Sequence, residues 1–318
     1  MEVRKVNGFF IIFVIGYIGL SVVCASIMAY AQNSGIAVPD WIQYVMSEGI
    51  ILLIAIIYMI VQKIDPIREI PYKRIGIVDV ILSLVAGYCL IPAVLLISNL
   101  SMLFSTNYLE EGTTTLLTYP FAMQVILLAV IPPLVEELIF RGIFFGSYRK
   151  AGMTGAALMS GLLFGCFHLN INQALYAFVM GIVFAYMVEA TGSLWSSVIA
   201  HFAVNTYSIG IVQILKMAGI YAQDGSVSET FENAESVAGQ STAVTLVQIA
   251  MLAVIAAAFM MLAVLCIKTM AKRHGNLEKM KIQKVKLSHI KNYFTAPVTV
   301  GIVVCVMYMI MLEFSGTL

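Results

Sequence analysis

Apolar residues run along this chain in long stretches, at 8–30, 47–61, 76–99, 119–145, 154–168, 172–189, 193–215, 244–267 and 294–314, with short polar segments between them. A helix needs about 20 predominantly apolar residues to cross the roughly 30 Å hydrocarbon layer of a membrane. Only structures that satisfy their backbone groups internally survive there, so the pattern predicts an all-α protein, a polytopic transmembrane helical bundle of about nine spans. There is no internal repeat, low-complexity tract or soluble domain.

The basic residues test this weave. Arg4 and Lys5 precede the first stretch; Lys63, Arg68, Lys73 and Arg74 follow the second; Arg149 and Lys150 follow the fourth; and the run from Lys268 to Lys291 separates the eighth from the ninth. In a nine-span weave all of them fall on one side, which the positive-inside rule makes the cytosol. The opposite loops carry Lys216 and the acids Glu110, Glu111, Asp224, Glu229, Glu232 and Glu235. The expectation is an integral protein of the plasma membrane with a cytosolic N-terminus and an outer C-terminus. Arg4, Lys5, the first apolar run and Ala29-Tyr30-Ala31 also resemble a signal peptide, but the run exceeds the usual apolar region of about 7–15 residues, which favours a retained helix. The basic segment before the last span acts as an orientation anchor and has the charge to touch anionic headgroups.

Composition agrees. Hydrophobic residues make up 61% of 318 and charged residues 11%, with a net charge of +1. A soluble domain has about 25% charged residues, and no basic patch for nucleic acid is present. Cys24, Cys89, Cys166, Cys266 and Cys305 each stand alone in apolar sequence, away from any metal-ligand spacing, and read as small packing residues.

Against this background, the ionisable residues inside the apolar stretches become candidates for function. Each costs roughly 2.5–3.5 kcal/mol at mid-membrane even on a lenient scale. The fourth span reads IPPLVEELIFRG. Pro132 and Pro133 remove two backbone donors, which predicts a kink and freed carbonyls near Leu128 and Ala129. Neighbours on a helix point about 100° apart, so Glu136 and Glu137 are expected to serve different faces. Arg141 stands four residues after Glu137, the spacing of an intrahelical ion pair, which leaves Glu136 to face a cavity. A buried ion network without chemistry would explain the pair, but not the second acid.

The fifth span reads GLLFGCFHLN, where Gly161, Phe164, Gly165 and His168 share a face and the two glycines allow a close helix approach. The seventh reads LWSSVIAHFAVNTYS, and there Ser197, His201, Asn205 and Ser208 form a polar stripe. Helix–helix hydrogen bonds would account for Asn205 and the serines, though less well for a second buried histidine. At about 1.5 Å per residue, Glu136 and His168 both lie about 20 Å above Lys150. His201 reaches them if the turn at Thr191-Gly192 sits below the membrane surface.

EELIFR, FGCFH and HFAVN resemble the three motifs of the CAAX prenyl endopeptidase and bacteriocin-processing family: paired glutamates with an arginine, Phe-xxx-His and His-xxx-Asn, in family order. The likeness covers about a third of the chain. It divides the chain into N-terminal helices at 1–118, a protease-like core at 119–215, and a C-terminal part at 216–318 with the two polar loops and two helices. The resemblance implies hydrolysis of a peptide bond in a membrane-associated peptide or protein. Glu136 and His168 would handle the water, His201 and Asn205 would donate to the oxyanion, and Glu137, Arg141 and Phe164 would support them, without a cofactor. A zinc enzyme with Glu136, His168 and His201 as ligands is the alternative chemistry. A permease, or a noncatalytic immunity protein that occupies a receptor, is the alternative class; the permease lacks the inverted repeat many transporters show.

Overall fold

The computed structural model describes residues 3–106, 118–219, 242–283, 285 and 287–315, and among these it contains helices and turns but no strand. Glu110, Glu111 and the acidic stretch at 223–240 lie outside the described residues. The helices are α1 Val3–Asn33, α2 Trp41–Val61, α3 Ile77–Ser101, α4 Phe121–Ala151, α5 Met153–Phe167, α6 Ile171–Thr191, α7 Leu194–Met217, α8 Thr242–Arg273 and α9 Ala296–Ser315.

Eight of these are long and apolar enough to cross a membrane, so the protein is a polytopic membrane protein. The ninth expected span needs correction. Helix α5 has 15 residues, about 22 Å, which is short of the roughly 30 Å hydrocarbon layer. Burial explains its length. Most of α5 is enclosed by neighbouring helices, so lipid thickness does not set its extent. Gly152 (φ 128°) precedes it, and Leu169 (φ 55°) turns the chain sharply into α6, where the Asn170 side chain accepts from the Gln173 backbone N–H.

Two apolar clusters organise the bundle. In one, Phe9, Phe10 and Phe13 of α1, Ile51 and Ala55 of α2, Phe140 and Phe144 of α4, Leu163 and Phe167 of α5, and Cys305 of α9 pack together. In the other, Ala86 and Leu90 of α3, Phe184 and Met187 of α6, Ala200 of α7, and Ala263 and Met270 of α8 do the same. Helices α6 and α7 contribute to both and join the two flanks. Large apolar side chains on the outside, such as Leu53, Ile60, Val254, Met261 and Met307, face the position of lipid. All five cysteines are free.

The helix ends fall in two groups, as the weave requires. Ser193 Oγ donates to the Lys73 carbonyl, and the Leu194 N–H donates to the Pro71 carbonyl at 2.7 Å. Arg149 pairs with Glu189 at 2.9 Å, Asn276 donates to the Ala190 carbonyl, and the Gln283 N–H donates to Thr154 Oγ1. The connections after α2, α4, α6 and α8 therefore meet at one end, the end that carries the basic residues. Asp79, at that end of α3, also holds Arg273 and His274 at 3.1 and 3.0 Å. At the opposite end, Glu313 of α9 accepts from the Thr106 N–H.

Candidate active site

The local form of α4 follows from its two prolines. Val125–Val130 is a π-helical stretch, Ile131–Glu137 is α-helical with Pro132 and Pro133 in its first turn, and Leu138–Phe145 is π-helical again. Prolines fit a first turn because those N–H groups have no partner inside the helix. The Leu128 carbonyl then loses both possible helical donors, the α-type partner at 132 and the π-type partner at 133. Asn205 Nδ2 donates to that carbonyl at 2.9 Å. The carbonyl that sequence marks as freed is thus satisfied from α7, and α7 is stapled to the bend just above the glutamates.

Glu137 and Arg141 pair as their spacing predicts. Arg141 Nη1 donates to Glu137 Oε1 at 2.7 Å, and both side chains are fully buried. The guanidinium also lies over the rings of Phe164, 4.2 Å from its centroid, and Phe184, at 5.2 Å. Cation–π contact offsets part of the cost of burying it. Gly181 makes room here, since a Cβ at that position would come within 3.2 Å of Arg141 Nη2.

His201 departs from the expected division of labour. Its Nδ1 lies 3.1 Å from Glu137 Oε1 and its Nε2 lies 3.7 Å from Glu136 Oε2. Glu137 therefore serves both Arg141 and His201, and the two adjacent glutamates do meet one group. Their side chains still diverge by the helical angle, but an imidazole has nitrogens on opposite edges, so a ring wedged between them touches both. Glu137 fixes the hydrogen-bonded nitrogen of His201 as Nδ1.

His168 joins the cluster through Phe164. Its Nδ1 lies 2.7 Å from the Phe164 carbonyl, which makes Nδ1 the donor and leaves Nε2 as the acceptor in the neutral ring. The Phe164 ring stands edge-on to both histidines, with centroids 4.7 Å from His168 and 5.8 Å from His201. One phenyl ring thus spaces the two imidazoles and carries the arginine. After the turn at Thr191-Gly192, Ser193 and Leu194 are buried against Pro71 and Lys73, which fixes the start of α7.

Glu136, Glu137, Arg141, Phe164, His168 and His201 are thus linked in one cluster, while Asn205, one turn further along α7 from His201, meets the Leu128 carbonyl. The zinc alternative asks more of the geometry. Among the described residues no three His, Cys, Asp or Glu side chains form a group able to hold a metal ion. Glu136, His168 and His201 accordingly do not fit a three-ligand site as they stand.

Two residues near Glu136 escaped the sequence reading. Glu48 of α2 and Tyr176 of α6 both lie within electrostatic reach of its carboxylate. The second apolar stretch begins at residue 47, which puts Glu48 at a rim, whereas α2 starts at Trp41 and carries Glu48 two turns inside. Tyr176 has no signal in an amphipathic tyrosine on an apolar helix. An apolar pocket of about 250 Å³, lined by Leu52, Tyr72, Leu134, Val135, Leu138, Leu194, Trp195 and Val198, adjoins the cluster toward the basic end without including its polar residues.

The geometry agrees with the comparisons. Residues 118–207, which contain every residue of the cluster except Glu48, match the type II CAAX prenyl endopeptidase Rce1-like family. A Bacillus subtilis (strain 168) protein named "Putative membrane peptidase YdiL" is 33% identical over 88 residues, 27% of this chain and 36% of that protein. The chain thus matches about a third of the length of this relative. No solved structure matches. The central segment of the chain is thus similar to the type II CAAX prenyl endopeptidase Rce1-like family.

Proposed function

We propose that this protein is an intramembrane endopeptidase that hydrolyses a peptide bond in a membrane-associated peptide or protein, with Glu136 as the base. The observation that carries this reading is the contrast between the two glutamates. Glu137 is tied to Arg141 and His201, while Glu136, 14% exposed, has among the described residues only the His201 edge at 3.7 Å, too far for a hydrogen bond. A carboxylate kept in an apolar bundle without a partner of its own is poised to take a proton from water.

The remaining roles follow from donors and acceptors. His168 Nε2, an acceptor because Nδ1 is used by Phe164, receives a hydrogen bond from the same water and orients it. Glu136 takes the proton, the oxygen attacks the scissile carbonyl, and the proton then passes to the departing amine. Asn205 has a second Nδ2 hydrogen beyond the one given to Leu128, and it is available to the oxyanion. His201 donates from Nε2 once it carries both protons, a form that Glu137 at Nδ1 accommodates. The neighbouring apolar pocket suits an apolar part of the substrate, in keeping with a partner that resides in the bilayer. No step requires a metal.

The test compares membrane and released peptides from cells carrying native protein or Glu136→Gln. The expected result is a cleaved peptide that disappears in the variant, with turnover lowered at least about 10²-fold for the purified protein. Chelator treatment should leave native turnover intact; loss of activity that added zinc restores would replace this mechanism by the metal-dependent one. A permease or a noncatalytic immunity protein would give identical peptide profiles for the two proteins.

A further inference from the structure

Glu48 has no assigned role, and its surroundings are unusual. It stands two turns inside α2, which packs on the Ile131–Glu137 segment of α4. Its Oε2 is fully buried and has no hydrogen-bond partner, and no Lys, Arg or His pairs with it among the described residues. Glu48 lies within electrostatic reach of the Glu136 carboxylate. Arg141, the cation of the cluster, is already bound to Glu137.

Charge counting brings out the consequence. Glu137 and Arg141 cancel, which leaves Glu48 and Glu136 as two neighbouring carboxylates without a cation of the protein. Burying such a pair is costly unless a positive charge joins it. The helix ends nearest to Glu48 slope the same way, since Asp40 and Glu313 lie there. An acidic approach to an acidic cleft raises the local concentration of cations.

From the unpartnered Glu48 carboxylate beside Glu136, we infer a subsite for a positively charged group of the substrate, a Lys or Arg side chain or a free amino terminus near the scissile bond. This deepens the protease reading and rests on it for the word substrate. The ammonium or guanidinium sits between Glu48 and Glu136, donates to the buried Oε2, and so places the neighbouring peptide carbonyl beside the Glu136–His168 water. Glu48 is a binding and positioning residue, and the class of substrate it selects is a cationic peptide arriving from the acidic end of the bundle.

The experiment uses the full-length protein in nanodiscs of neutral phosphatidylcholine, with two labelled apolar peptides that differ only in one Lys or norleucine. Binding is read by fluorescence anisotropy and cleavage by mass spectrometry. Native protein should bind the Lys peptide at least about tenfold more tightly, a ratio worth about 1.4 kcal/mol. Glu48→Gln should bring the ratio near one, and Glu48→Asp should retain most of it, which separates charge recognition from a packing role. A ratio near one in native protein, or one that Glu48→Gln leaves unchanged, overturns the inference and points to a proton shared by the two carboxylates. Preferential binding without cleavage of either peptide would instead overturn the protease reading and leave the cation subsite standing.

Discussion

Asn205 has two claims on its amide, and they separate cleanly. One Nδ2 hydrogen serves the Leu128 carbonyl, orphaned by Pro132 and Pro133; we assign the other to the oxyanion. Asn205→Ala therefore strands a buried acceptor and should destabilise the protein by about 1–3 kcal/mol in addition to slowing turnover. Pro132→Ala returns a backbone N–H that can bond Leu128 within the helix. In that background the stability cost of Asn205→Ala should shrink, with a coupling of about 0.5–3 kcal/mol measured by denaturation of the four proteins in detergent. Turnover should stay low in the double variant, because the proposed donor to the oxyanion is still missing. Additive stability effects would mean that the staple contributes little. The same logic applies to Glu137, whose double engagement could be half read from sequence. Its spacing to Arg141 marked the ion pair, but its contact with His201 joins residues 64 positions apart and exists only once α4 and α7 pack.

At the scale of elements, close backbone approach aligns the site. A Cβ at Gly165 of α5 would lie 2.5 Å from the Ala174 carbonyl oxygen of α6, and one at Gly161 would lie 2.7 Å from that of Phe178. A Cβ at Gly87 of α3 would meet the Ala200 carbonyl oxygen of α7, one residue before His201. None of these neighbours is the flexible end of a side chain, so helices must move apart. Gly165→Ala should cost about 1–3 kcal/mol by overpacking and displace Phe164 and His168 together. Turnover should fall about 10²-fold while the protein still inserts, since a displacement near 1 Å at a reacting group has that effect. Gly210→Ala is the control: nothing lies within 4 Å of its Cβ position, and both turnover and stability should match native protein. Equal behaviour of Gly165→Ala and Gly210→Ala would show that the approach of α5 to α6 does not position the site.

For the whole molecule, the contacts that gather the connections after α2, α4, α6 and α8 at one end lead to an orientation. Lys and Arg concentrate at that end, so it should face the cytosol. Reporters active in only one compartment, placed after Leu318 and within the segment 279–286, should report the outside and the cytosol respectively. The same compartment for both would break the weave, because α9 alone separates them. The short α5 does not upset this count. It returns the chain to the acidic end within the protein interior, and α6 of 21 residues brings it back.

The class of the protein, the spans and the candidate site were legible in the chain because each depends on local chemistry. Hydrophobic length sets a membrane helix, the four-residue step sets Glu137 with Arg141, and two successive prolines mark Leu128 as an orphaned acceptor. Only the tertiary structure decided what those groups meet. It put His201 between both glutamates, gave Leu128 to Asn205, made one Phe164 ring the spacer for Arg141, His168 and His201, and brought Glu48 of α2 within electrostatic reach of Glu136 of α4. It also freed α5 from the length that lipid imposes by enclosing it in protein. Hydrophobic pattern specifies which residues enter the membrane, whereas partners across helices depend on rotation, depth and the backbone contact that small residues allow, and these are settled only when the helices pack.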